Sequence, residues 1–314
     1  MALKKIQTRE FGEIWSNDMD STKYIISEFL DHKSYDNEII ELSKNDIILD
    51  VGSNLGLFAH YAAGRLNRKT TIHAFEPIPA SYELLTKNVA ANGLESVIKT
   101  YNVGLTDMDD PSEIDFHYYP NSSVLSTMNY KITEEGFFGI QSAKTGKIFF
   151  KTIKKRINKL RYFFNMMMLS IPFVSDLLYK IILKKFSMRT TVRCSMTNLS
   201  DFIEKQNIER IDVLKIDTEG AELKILNGIK DDHWEKIKQL IIEIHHDDYV
   251  EPIMEILDRN GFTNIAVKRD DYLKTEIGNY QLLFATKAKE PIESSAYIQP
   301  EYAGVGKETV YVFQ

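Results

Sequence analysis

The residues best suited to chemistry fall at the ends of strand-like runs. Asp50, Gly52, Ser53, Asn54 and Gly56 close the segment DIILDVGSNLG, and Glu76-Pro77 closes TTIHAFEP. Two glycines let the backbone turn sharply and approach a ligand, since no Cβ stands in the way. Their Gly-x-x-x-Gly spacing differs from the Gly-x-Gly-x-x-Gly that sets a helix N-terminus against a pyrophosphate. Asp50 would repel phosphate but suits a ligand with ammonium or sulfonium charge, and Glu76 is placed to accept hydrogen bonds from both hydroxyls of a ribose. A ribose, no phosphate and a positive charge describe S-adenosylmethionine better than NAD. The alternative is a tight turn followed by a surface acid.

A second set could serve the methyl acceptor. Asp217 and Glu219 follow IDVLKID, while Glu243, His245 and His246 end QLIIEIHH. Side chains alternate along a strand, so Glu243 and His245 share a face. Parallel neighbours lie about 4.8 Å apart, which lets Asp217 meet a histidine of this pair across a cleft. Methyl transfer is an in-line displacement, so the protein must align donor and acceptor, and a hydroxyl acceptor must also lose its proton. With a reference pKa of about 6.5, His245 or His246 is the expected base, and Asp217 would orient it, hold the acceptor or border the cofactor. Asp217, Glu243 and His245 would also suit magnesium or manganese, although no spacing demands a metal. Glu222 is expected to complement the N–H groups at a helix start, and the same account serves Glu219. Asn102 and Val103, at the end of a third strand, are expected near the adenine. His60 and His73 are expected to face neighbouring structure.

The elements that must position these groups alternate in type. Strand-like runs at 46–51, 70–75, 97–105, 211–217, 239–245, 263–267 and 280–286 are interleaved with helical stretches at 57–66, 80–92, 221–226 and 250–260. Such alternation predicts an α/β fold with a mostly parallel seven-stranded sheet covered by helices on both faces. Residues 118–195 fit no strand–helix repeat and read as an insertion, a lid between the third and fourth strands. Residues 1–42 suit helices packed on the domain formed by 43–117 and 196–290, and 291–314 form a tail.

At 314 residues, with 43% hydrophobic and 27% charged side chains, the chain is neither collagenous nor disordered. One cysteine, Cys194, excludes an internal disulfide, and the opening MALKKIQTRE lacks the apolar run of a signal peptide, so a reducing cytoplasm is the simplest location. The net charge of −6 hides an asymmetry, because Lys144 to Arg193 carries 13 basic residues and one acid. Such a block suits an acidic carrier protein or an anionic membrane surface, and a solvated face is the other reading. Within it, residues 163–186 have an amphipathic pattern too interrupted to span a bilayer, which suits a helix packed on its domain, a lid, or a surface anchor.

The runs ILDVGSNLGLFAHYAA, AFEPIPASYELLTKNVAANG and especially VLKIDTEGAELKILNGI resemble the FkbM family of S-adenosylmethionine-dependent methyltransferases. Thr218 stands where the family's KIDVEGAE-like motif carries a small apolar residue. The segment FHYYPNSSVLST further resembles the branch associated with polyketide and nonribosomal-peptide pathways. The resemblance implies a class I, Rossmann-like methyltransferase that forms S-adenosylhomocysteine and usually methylates a hydroxyl. Its acceptor would be a natural-product intermediate, free or carrier-bound. A sugar, glycan or lipid head group at a membrane is the second reading, and a nucleotide-binding module without catalysis the third. A nucleic-acid substrate is disfavoured, since no aromatic-interleaved RNA-binding motif is present.

Overall fold

The N-terminal segments KKIQT and GEIWS each carry an isoleucine at their centre. They pair as an antiparallel hairpin, β1 (Lys4–Thr8) and β2 (Gly12–Ser16), with Ile6 opposite Ile14. This corrects the expectation of an all-helical start, for only α1 (Met19–Leu30) is helical there, its N-terminus capped by the Asp18 side chain accepting from the Ser21 N–H. The computed structural model describes residues 3–31, 33–35, 37–119, 190–269, 281–287 and 310–313. Most of the basic block and all of the 163–186 segment lie outside the described residues. Among the described residues no helix is long and apolar enough to cross a membrane.

Strands and helices then alternate as β3 (Ile47–Val51), α2 (Leu57–Arg65), β4 (Thr71–Phe75), α3 (Pro79–Ala91) and β5 (Ile98–Tyr101). After β6 (Gly104–Leu105) come β7 (Glu113–Tyr118) and β8 (Thr190–Thr197), which pair antiparallel from Glu113 opposite Ser195 to Tyr118 opposite Thr190. The insertion therefore springs from the antiparallel β7–β8 pair, which β6 extends by pairing parallel with β8. Val192, Cys194 and Met196 alternate on the stem face that packs with Ile114, Phe116 and Tyr118. The chain continues through α4 (Leu199–Gln206), β9 (Val213–Ile216), α5 (Glu222–Asn227), β10 (Gln239–Ile244), α6 (Asp247–Arg259), β11 (Phe262–Arg269), β12 (Gln281–Lys287) and β13 (Val310–Phe313).

The central sheet runs β13-β11-β12-β10-β9-β3-β4-β5, parallel from β5 to β10 and antiparallel at β12. It has eight strands, one more than expected, because β13 comes from the stretch assigned as tail and pairs with β11. Continuous apolar runs in the inner strands are the signature of a sheet buried on both faces. Leu49 and Val51 join Phe202, Ile225 and Leu257 on one side, whereas Ile48 joins Phe58, Ala62 and Phe29 on the other. The helical layers thus hold the carboxyl ends of β3, β4, β9 and β10 side by side, where an open parallel sheet binds ligands.

Candidate active site

Register decides the first feature of the site. Asp50 on β3 lies beside Lys215 on β9, and Lys215 shares its face with Asp217 two residues on. The Lys215 Nζ is 3.3 Å from Asp50 Oδ1 and 3.0 Å from Asp217 Oδ2, with the lysine side chain 4% exposed and Asp50 wholly buried. Burial opposes the lysine charge, but the Asp217 and Asp50 carboxylates outweigh it and hold the ammonium above its ordinary pKa range. Asp50 is therefore not the open carboxylate expected to meet a sulfonium. Its charge is met by Lys215, whose signal in the sequence is a lone lysine in an apolar strand two residues before an aspartate.

The loop after β3 is shaped by its own chain. Gly52 has φ +80°, and a Cβ there would overlap the carbonyl oxygen of Asp217, so the glycine admits the neighbouring loop where ligand approach had been expected. Gly52→Ala is expected to destabilise the fold by about 3 kcal/mol, read as a lowered urea midpoint, since both the backbone angle and the space forbid a methyl group. Gly56, at φ +83°, similarly faces Leu85. Ser53 turns inward, its Oγ donating to the Asp50 carbonyl at 2.7 Å.

Glu76 is buried at the end of β4. Its Oε2 accepts from the Asn54 N–H and its Oε1 from the Ile78 N–H, both at 2.9 Å. Burial pushes its pKa up to about 7, against those two hydrogen bonds. A carboxylate offers about four lone-pair sites, so each oxygen retains capacity for one more donor. Nearby, Asn54 Oδ1 and both Asp50 carboxylate oxygens are buried without a hydrogen-bond donor. This acceptor-rich cluster suits a ligand of hydroxyls, amines and positive charge such as S-adenosylmethionine, and would repel a phosphate. Asn102 serves the turn itself, its Nδ2 donating to the carbonyls of Glu76 and Pro77. Val103 packs against the hydrophobic core.

Two strands away the structure brings Asp217, Glu243 and His245 together, each offering a ligating atom within 4.8 Å of the others. His245 Nδ1 lies 2.9 Å from Oε1 of the wholly buried Glu222, and its Nε2 lies 3.4 Å from Glu219 Oε2 and 3.6 Å from Glu243 Oε1. Burial alone would lower the imidazole pKa, but Glu219, Glu222 and Glu243 together raise it well above 6.5. Those charges favour the protonated ring, which makes His246 the better placed of the two histidines to act as a base. Burial pushes Glu219 up to about 7 and Glu243 well above the usual carboxylate range, with Asp217 adding repulsion to both. Glu222 also accepts from the Gly220 N–H at 2.9 Å, the helix-start role expected of it. His246 behaves oppositely, since burial lowers its pKa below 6.5 and leaves a neutral ring packed edge-on against Tyr249 with Nε2 unpartnered.

A further part of the site comes from the N-terminal segment. Tyr35 stacks on Phe29 with ring centroids 4.5 Å apart. Burial, and then the charges of Glu243, Asp217, Glu28 and Asp50, hold its phenol well above the usual range. A cavity of about 420 Å³ lies beside it, lined by Tyr35, Ile40, Phe58, Tyr61 and Ile241 among others. No sequence pattern linked residue 35 to strands β9 and β10. His60 and His73 face neighbouring structure, the first between the carbonyls of Gly56 and Asn88 and the second against the Tyr101 hydroxyl.

A parallel sheet in this strand order, with antiparallel β12 inserted between β10 and β11 and an acceptor-rich cluster at the carboxyl ends of β3 and β4, is the arrangement of class I, Rossmann-like methyltransferases dependent on S-adenosylmethionine. Residues 179–294 match the Methyltransferase FkbM domain, and most of the chain is similar to methyltransferases of that kind. It is 28% identical over 249 residues to Methyltransferase sdnD of Sordaria araneosa, covering 76% of this chain and 82% of that protein. It is 25% identical over 256 residues to the 31-O-demethyl-FK506 methyltransferase FkbM of Streptomyces tacrolimicus, covering 81% and 87%. To Methyltransferase 1 of Beauveria bassiana it is 26% identical over 289 residues, covering 90% and 98%.

Proposed function

We propose that this methyltransferase acts on a hydroxyl of a small molecule, a natural-product intermediate of polyketide or peptide type. The observation that carries the reading is the adjacency of two unlike clusters at the carboxyl ends of the sheet, acceptor-rich at Glu76 and Asn54, and acid–imidazole at Asp217, Glu243 and His245. S-adenosylmethionine supplies an electrophilic methyl on a sulfonium. Glu76 and Asn54 would hold its ribose and amine donors, while the net negative charge of Asp50, Lys215 and Asp217 favours its cation. His246, neutral at working pH, would take the acceptor proton. A relative named for 31-O-demethyl-FK506 supports an oxygen acceptor. The basic block from Lys144 to Arg193 supports docking of an acidic carrier, since complementary charge steers encounter.

The test is to incubate the protein and S-adenosylmethionine with a panel of hydroxylated polyketide and peptide intermediates. A product heavier by one methylene, formed together with S-adenosylhomocysteine, is the expected result. Calorimetry that detects NAD but no S-adenosylhomocysteine would overturn the reading. Affinity for S-adenosylhomocysteine is expected to fall about tenfold per pH unit below about 7, because protonating Glu76 removes the acceptor that ribose hydroxyls require. Glu76→Gln should weaken binding by about 10²-fold and abolish that pH dependence, both measured in the same titration.

A further inference from the structure

His245 is held in a manner that an ion pair alone does not need. Its Nδ1 is fixed at 2.9 Å from Oε1 of Glu222, a side chain with no exposed surface, and this contact turns Nε2 toward Glu219 and Glu243, 3.4 and 3.6 Å away. Histidines that bind metals through one ring nitrogen almost always donate the other N–H to a carboxylate or carbonyl, which sets the tautomer and the ring plane. The second oxygen of Glu222 is buried with no hydrogen-bond donor. Around the ring, ligating atoms of Asp217, Glu243 and His245 already lie within 4.8 Å of one another. Ligand atoms neighbouring each other around an octahedral ion at 2.0–2.1 Å are about 3 Å apart, so small side-chain rotations suffice. Lys215 occupies Asp217 Oδ2 and leaves Oδ1 for another cation.

The geometry points to a divalent-cation site of the magnesium or manganese class formed by Asp217, Glu243 and His245 Nε2, whose proton the ion would displace, with Glu222 as the positioning residue behind the imidazole. Two carboxylates and one imidazole are a hard, oxygen-rich set suited to these ions, and three protein ligands leave coordination positions open. The site deepens the methyl-transfer reading and rests on it for its purpose. A cation there would bind the acceptor oxygen and lower its pKa, so that its proton leaves to His246 or solvent. The binding of the ion itself does not depend on that reading.

The experiment titrates the full-length protein with manganese chloride and follows the free-ion signal by electron paramagnetic resonance, with magnesium as competitor. One Mn²⁺ per chain is expected, displaced by Mg²⁺ and showing nitrogen coupling from an imidazole. Asp217→Asn and Glu243→Gln should each weaken it at least tenfold, and His245→Ala should abolish the nitrogen coupling. Glu222→Gln, which keeps the side chain's shape, should weaken binding about 10- to 100-fold while retaining the coupling, an outcome that a purely structural role would not produce. Circular dichroism and the urea midpoint of every variant confirm that the fold persists. Absence of Mn²⁺ binding at millimolar concentration, with S-adenosylhomocysteine still bound, overturns the cation site and leaves the methyl-transfer reading standing. Mn²⁺ binding that survives unchanged in Asp217→Asn and Glu243→Gln also overturns it. Failure of the wild-type protein to bind S-adenosylhomocysteine overturns the methyl-transfer reading instead.

Discussion

Lys215→Met is expected to lower stability by about 3–5 kcal/mol, the range for removing one partner of a buried charge pair. Methionine fills much the same volume beneath Phe58, whose ring lies 5.6 Å from the ammonium, so lost packing explains little of the change. What changes is the charge between Asp50 and Asp217. Asp217 is partly open and can turn to water, but Asp50 is wholly buried and its carboxylate oxygens receive no hydrogen bond, leaving Lys215 as its compensation. The double variant Asp50→Asn/Lys215→Met should recover at least half of the loss, because no uncompensated charge then remains inside. Urea unfolding at one pH measures all three variants. A loss below about 1 kcal/mol in Lys215→Met would show that the buried pair does not bear on stability in this way.

His246→Ala is expected to reduce kcat by about 10²- to 10⁴-fold while the affinity for S-adenosylhomocysteine stays unchanged, the pattern of a lost proton acceptor. The pH profile gives the argument its sign. Burial lowers the His246 pKa from 6.5, so the ring is neutral above that value and takes a proton only as the pH falls further. With both substrates saturating, the acid limb of kcat should lie below pH 6.5 and vanish in the variant. In His245→Gln the limb should persist, because the surrounding glutamates hold the His245 pKa well above 6.5, away from that limb. Stopped-time assays across pH 5 to 8 separate the two histidines. A limb that disappears with His245 and survives loss of His246 would reverse the assignment.

The structure divides what was legible from what was not at particular residues. Strands β3, β4, β9 and β10 were visible as apolar runs, and their carboxyl ends as the places where Asp50, Glu76, Asp217 and His245 interrupt them. The hairpin at Lys4–Thr8 and Gly12–Ser16 escaped because five-residue strands with mixed faces carry a weak periodic signal. The stem of β7 and β8 escaped because its partners are separated by some 70 residues, and pairing at that distance leaves no local trace.

The sequence by itself determined which chemical groups stand at the sheet's edge, since hydrophobic alternation and strand–turn–helix order are local properties of the chain. Only the tertiary structure decided what those groups are. Cross-strand register set Lys215 between Asp50 and Asp217 and closed the carboxylate that had seemed open. Helix α5 carried Glu222 beneath His245, favouring the protonated form of one histidine while its neighbour stayed neutral. Protonation state depends on burial and on charges within a few ångströms, and those neighbours are set by packing between elements distant in the chain.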